Sequence, residues 1–192
     1  LKTALQFFVQ LLKFRLLPPA CFALWAKSKL PPLYVWSDAA YEISSATPAT
    51  IGFVLFVPEG EVQIQRRPKR LPTSPHSKRT RNNGAFFYAY AVVPDSFMAR
   101  FVYKKQFIGQ LELLGAVCVY TTWPDIFRGR QVIHFIDNTS ALSALIRGYS
   151  SLPDSARIVY AYHSILFWLR ATVWNEFVCS EANCGDAPTR LD

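Results

Sequence analysis

Residues 33–42 read LYVWSDAAYE. The run from Leu33 to Trp36 is apolar and aromatic, and Asp38 stands at its close. Aromatic and β-branched residues in so short a run predict a buried strand over LYVWSDA. A charge at the end of such a strand costs free energy unless a cation or a hydrogen-bond network offsets it. The same arrangement returns in VIHFIDN (132–138), where Asp137 closes a second buried run. A strand, a crossover helix and a further strand in one sheet take a right-handed crossover in almost every case. The two strands then lie parallel and adjacent at the middle of a sheet, with Asp38 and Asp137 side by side at equivalent strand ends. Open α/β sheets place their ligands there.

The rest of the chain supplies the elements this pairing needs. TIGFVLFVP (50–58) and AFFYAYAVVP (85–94) predict two more strands, so the first three form an antiparallel meander. Apolar residues at Ile108, Leu111, Leu114, Val117 and Cys118 fall at helical spacing and predict a helix over 108–122. A helix over 139–146 stops at Gly148. Pro153-Asp154-Ser155 starts another, whose periodicity runs on to about Val173, and NEFVC (175–179) reads as the last strand. A short final helix follows the turn at Asn183. The order is β-β-β-α-β-α-α-β-α. Ahead of it, residues 3–16 read as an amphipathic helix, broken by Pro18-Pro19, with a second stretch over 20–28 and a break at Pro31-Pro32. Residues 1–32 are therefore expected to be a helical leader, packed on the following domain or belonging to an upstream one. Residues 33–192 form the domain proper, with an insertion at about 59–84. The absence of an initiator methionine reads as a piece of something larger.

Composition narrows the function classes. The chain has 192 residues, 51% hydrophobic and 18% charged, which suits one well-cored domain with an appendage. Of its 21 basic residues seven (Arg66, Arg67, Lys69, Arg70, Lys78, Arg79 and Arg81) lie in a stretch without acids; the remaining 14 face 13 acidic residues. The net charge of +8 is thus local, as contact with a polyanion requires, although a solvated loop has the same composition. Four cysteines show no CxxC pair, so neither a zinc site nor a disulfide framework is expected. A reducing, intracellular setting follows. The charge-free stretch LLPPACFALWA is 11 residues long, and a spanning helix needs about 20, so no membrane contact is expected.

Two further carboxylates complete a set. Glu112 sits one turn into the helix over 108–122, and Asp186 follows the last strand. Two strand-borne aspartates, a helical glutamate and a late aspartate make a hard-oxygen cage of the kind magnesium prefers. Each residue also has an ordinary role open to it. Asp38 suits a turn, Asp137 the N-cap of the helix at Thr139, Glu112 a solvated helix face, and Asp186 a first helical turn. As a cage, four carboxylates repel one another, and two Mg2+ ions would relieve this. One would activate a water and the other would stabilise the leaving oxygen of an in-line displacement, with Mn2+ able to substitute. That chemistry is phosphodiester cleavage. Asn138 and Thr139, beside the cage, are candidate contacts to a nucleic acid, and both also suit a helix start. His134 and His163 read as structural.

SDAA (37–40), QLELLGA (110–116), IDNTSAL (136–142) and NCGDAPTR (183–190) together resemble the ribonuclease H domain of retroelement reverse transcriptases. The nearest lineage is that of tyrosine-recombinase, DIRS-like retrotransposons, and the match spans about 33–190. The resemblance implies an α/β, RNase H-like fold: a mixed five-stranded sheet, three antiparallel strands then parallel additions, flanked by helices. It also implies endonucleolytic cleavage of the RNA strand of RNA–DNA hybrids with two divalent ions, and places Asp38, Glu112, Asp137 and Asp186 on four metal-binding positions. The mobile histidine of cellular enzymes has no counterpart in CSEANCGD (179–186). Two other readings stay open: a catalytically idle RNase H-like binding or scaffolding module, and a DNA-cleaving resolvase on the same fold.

Overall fold

The computed structural model describes residues 30–42, 49–58, 84–102 and 106–190. The leader, apart from its last residues, and the basic stretch 66–81 lie outside the described residues. The elements are β1 (Leu33–Tyr41), β2 (Ala49–Pro58), β3 (Gly84–Val92), α1 (Asp95–Met98), α2 (Ile108–Thr122), α3 (Pro124–Phe127), β4 (Gln131–Ile136), α4 (Thr139–Arg147), α5 (Pro153–Leu169), β5 (Thr172–Phe177), a 3-10 turn over Ser180–Ala182, and α6 (Asp186–Thr189). The strands form one sheet in the order β3-β2-β1-β4-β5. Its first three strands are antiparallel, β4 runs parallel to β1, and β5 runs parallel to β4. This is the mixed sheet expected from the alternation of elements.

Strand alternation sorts the side chains. Leu33 and Val35 point to one face, where they pack with Phe53, Leu55, Leu113, Ala116, Val132 and Leu166 in the main core. Helix α2 lies across β1 and β2 on that side and packs against α5. The opposite face carries an aromatic row, with Trp36 stacked on Phe135 at 5.2 Å and Tyr34 against Phe56 at 6.1 Å. Helix α6 seats on that side of β2. Covered by α2 on one face and α6 on the other, β2 is buried along nearly all its length.

One polar chain crosses the core. Ser37 Oγ lies 2.9 Å from His134 Nε2, and Tyr120 Oη lies 3.1 Å from His134 Nδ1. Tyr120 meets Tyr162, whose hydroxyl donates to Asn175 Oδ1 at 2.8 Å. Since Tyr162 donates to Asn175, every proton is placed only if Tyr120 donates to Tyr162, His134 Nδ1–H to Tyr120, and Ser37 to Nε2. Burial pushes the His134 pKa down to about 3, so the ring is neutral, as this pattern needs. His134 is thus the satisfied core histidine expected of it. His163 bonds the Leu145 carbonyl at 3.0 Å.

Two boundaries depart from expectation. Helix α5 ends at Leu169 instead of about Val173, and β5 begins at Thr172 instead of 175. Arg170 takes a left-handed conformation (φ 54°), and the Ala171 amide closes on the Leu166 carbonyl. No glycine marks this stop, so the apolar pattern runs from the buried helix face into the strand unbroken. Similarly, Asp38 does not end its strand. Pairing with β2 continues from Asp38↔Gly52 to Tyr41↔Ala49, while the parallel partner β4 has already stopped.

Candidate metal centre

The parallel register sets the first two carboxylates. Leu33 lies opposite Val132 and Trp36 opposite Phe135. Continued for two residues, the same offset brings Asp38 level with Asp137, just past the end of β4. Asp137 is free to face this point because it does not cap the next helix. Asn138 does, its Oδ1 accepting from the amides of Ser140 and Ala141 at 3.1 and 3.0 Å. Glu112 arrives from α2 and is buried, not the solvated helix residue its position also allowed. Carboxylate oxygens of Asp38, Glu112 and Asp137 lie within 4.8 Å of one another.

Three carboxylates at this range cannot all carry charge without compensation. Burial, reinforced by Asp38 and Asp137, pushes the Glu112 pKa up to about 9. Burial and then Asp137 raise that of Asp38 to about 6, against a smaller opposing bond from Thr189. Glu112 Oε2 is buried and has no hydrogen-bond partner. An orphaned carboxylate oxygen is costly by itself and suited to a cation. The donor set is all oxygen, the kind that binds hard divalent ions. These residues therefore fit a divalent metal.

Asp186 lines the same cleft but is not one of the clustered three. Its Oδ1 accepts from Arg190 Nε at 2.9 Å, and the pair is largely exposed. The turn before it is docked onto β1. Asn183 Nδ2 donates to the Ser37 carbonyl at 3.2 Å, while Asn183 Oδ1 accepts from the Gly185 amide at 3.0 Å. A side chain at 185 would sit 2.9 Å from the Ser37 carbonyl carbon, so close seating of this turn requires glycine.

The cleft itself is open and measures about 780 Å3, far more than the roughly 30 Å3 share of a single water, so it leaves room for a larger ligand. Asn138 lines it, whereas Thr139 is an exposed first residue of α4 and is not among the lining residues. Ser180 and Thr189 line it too, and neither was singled out from sequence. Ser180 lies in the loop without histidine. Thr189 had a signal, the threonine of NCGDAPTR, but no spacing pattern marks a hydroxyl as a partner of a carboxylate far away in the chain. The thiols of Cys179 and Cys184 are exposed and free.

The fold has counterparts among solved structures. RNase H1 from the halophilic archaeon Halobacterium salinarum superposes with a TM-score of 0.55 over 82% of this chain and 93% of that one, at 13% identity. The fold is that of ribonuclease H. The N-terminal RNase H domain of rv2228c from Mycobacterium tuberculosis, solved as a fusion with maltose-binding protein, gives 0.50 over the same shares at 9% identity. No model of a known protein family matches the chain, and no curated protein matches it. The RNase H fold is thus carried here by a sequence of low identity to these structures, 13% and 9%. No described helix is long and apolar enough to cross a membrane.

Proposed function

We propose that this RNase H-like domain is a metal-dependent endonuclease that cuts the RNA strand of RNA–DNA hybrids. The observation that carries this reading is the convergence of Asp38, Glu112 and Asp137, from β1, α2 and the end of β4, on one point of an open cleft. Those three side chains would hold a divalent ion, and Asp186 would join them once released from Arg190. Two bound ions would supply an activated water and stabilise the leaving oxygen. The chain's own part is placement. Parallel β1 and β4 fix the separation of the two aspartates, and the packing of α2 holds Glu112 over the sheet. Asn138 Nδ2 bonds nothing among the described residues and is a donor at the cleft for a sugar hydroxyl.

Outside the described residues, the basic stretch 66–81 would bind the phosphate backbone. Residues 1–32 would connect to an upstream polymerase region, in keeping with the retroelement motifs. The test offers labelled RNA–DNA hybrid, double-stranded RNA and double-stranded DNA in parallel, with Mg2+, with Mn2+ and with EDTA. The expected result is metal-dependent cutting of the RNA strand of the hybrid alone. Asp38→Asn and Asp137→Asn should each lower the rate by several orders of magnitude. Cutting that survives either change undiminished would exclude this site, and cutting of duplex DNA instead would make the domain a resolvase.

A further inference from the structure

We infer that Thr189 is a positioning residue that orients the Asp38 carboxylate for the metal and ties it to the segment bearing Asp186. This deepens the nuclease reading of the same site and rests on it for the identity of the ligand, a divalent cation. The Thr189 hydroxyl lies 3.1 Å from Asp38 Oδ2 and 2.8 Å from the Asp186 carbonyl oxygen. Its single proton is shared between an oxygen of the first ligand on the chain and the backbone of the last.

Thr189 is itself buried and held from two sides. It is 3% exposed, so solvent does not compete for its hydroxyl. Thr50 Oγ1 donates to its carbonyl at 3.0 Å. Its methyl group lies over Gly52, where an added Cβ would come within 2.8 Å of Cγ2. A four-residue helix has no stability of its own, so α6 keeps its shape through its seat on the sheet, chiefly on β2 and also on β1 and β3. Hydroxyl and methyl thus have separate tasks. The methyl seats the helix, and the hydroxyl fixes the rotation of a carboxylate that must present one oxygen to the cage. Partners of ligands act in this way at metal sites generally, and their removal typically costs about 10–100-fold in metal affinity or activity.

Two substitutions separate the tasks. Thr189→Val keeps the shape and loses the hydroxyl, whereas Thr189→Ser keeps the hydroxyl and loses the methyl. Mg2+ affinity of the full chain is read by calorimetry and by the Mg2+-induced rise in melting temperature, with cleavage of hybrid measured alongside. Thr189→Val should bind Mg2+ about 10–100-fold more weakly, and kcat should fall with it. Thr189→Ser should stay close to the parent in Mg2+ affinity. In an Asp38→Asn background, Thr189→Val should cause no further loss. Unchanged Mg2+ affinity in Thr189→Val, an equal loss in Thr189→Ser, or additive losses in the double variant would overturn the assignment. Should Thr189→Val fail to fold by circular dichroism, Thr189→Ala takes its place and is read against Thr189→Ser, since the two differ only by the hydroxyl. Weaker Mg2+ binding in the alanine variant than in the serine variant is expected, and equal affinity in the two would overturn the assignment. The two readings fail separately. The expected Mg2+ pattern in a protein that cuts no hybrid would sink the nuclease reading alone, while vigorous cutting by Thr189→Val at parental Mg2+ affinity would sink only the role of Thr189.

Discussion

Glu112 is where burial and like charge act together most strongly. Its carboxyl is held up to about 9 from an ordinary value of 4.5, first by burial and then by Asp38 and Asp137. The unfolded chain gives up this proton near 4.5 and the folded, metal-free protein only near 9. Stability from this group is therefore full below the lower value and is lost as pH rises through the window. Glu112→Gln should remove that dependence and make the metal-free protein melt higher than the parent at pH 8. A metal ion entering the cage must displace the same proton. Calorimetry at pH 7 in buffers of different protonation enthalpy should find the parent releasing about one proton more than Glu112→Gln on binding Mg2+. Equal proton counts would place Glu112 outside the cage. Asp137 shows a different economy at this scale: because Asn138 caps α4, the aspartate before it keeps both oxygens for the cleft.

Among the elements, the parallel pair β1–β4 carries the site, and the buried chain from Ser37 to Asn175 pins it to α2 and α5. Tyr120→Phe would leave the His134 Nδ1–H buried without an acceptor. An unpaired buried donor costs about 1–3 kcal/mol. Urea unfolding should show that loss, with cleavage by the folded fraction unchanged; full stability would mean the histidine re-pairs elsewhere. The periodicities of β1, β2, α2 and β4 were legible because each element buries one face or both, and burial leaves a pattern in the residues. The end of α5 was not, because Arg170 adopts its left-handed turn without a glycine, held by the carbonyls of Leu166 and Phe167. Helices α1 and α3, of four residues each, are too short to show a period. Within the site, carboxylates were legible as charges misplaced at strand ends. The Thr189 hydroxyl was not, since threonine violates no pattern when it is buried. Nor was the engagement of Asp186 by Arg190, which depends on how one helical turn orients two exposed side chains.

For the whole molecule, a net charge of +8 stands beside a cleft lined by carboxylates. Under the proposed function the carboxylates repel the substrate, so binding would have to come from elsewhere, and the seven basic residues of 66–81 are its proposed source. Neutralising Arg66, Arg67, Lys69 and Arg70 together should weaken hybrid binding whatever its sequence. It should also reduce the slope of log affinity against log salt by up to about 3–4. An unchanged slope would show that the stretch is merely solvated. The position of the parallel pair has a further effect, on the order of events in folding. Ser37 and His134, bonded across β1 and β4, stand 97 residues apart in the chain, whereas the β1–β2–β3 meander joins consecutive strands. Closing so long a loop carries an entropy cost that local contacts must first offset, which makes distant pairings slow. Asp38 and Asp137 therefore meet only when the sheet is nearly complete. A half-folded chain holds its carboxylates apart, spared their repulsion and unable to gather a metal ion between them. Under the proposed function, a chain that has not finished folding cannot cut RNA.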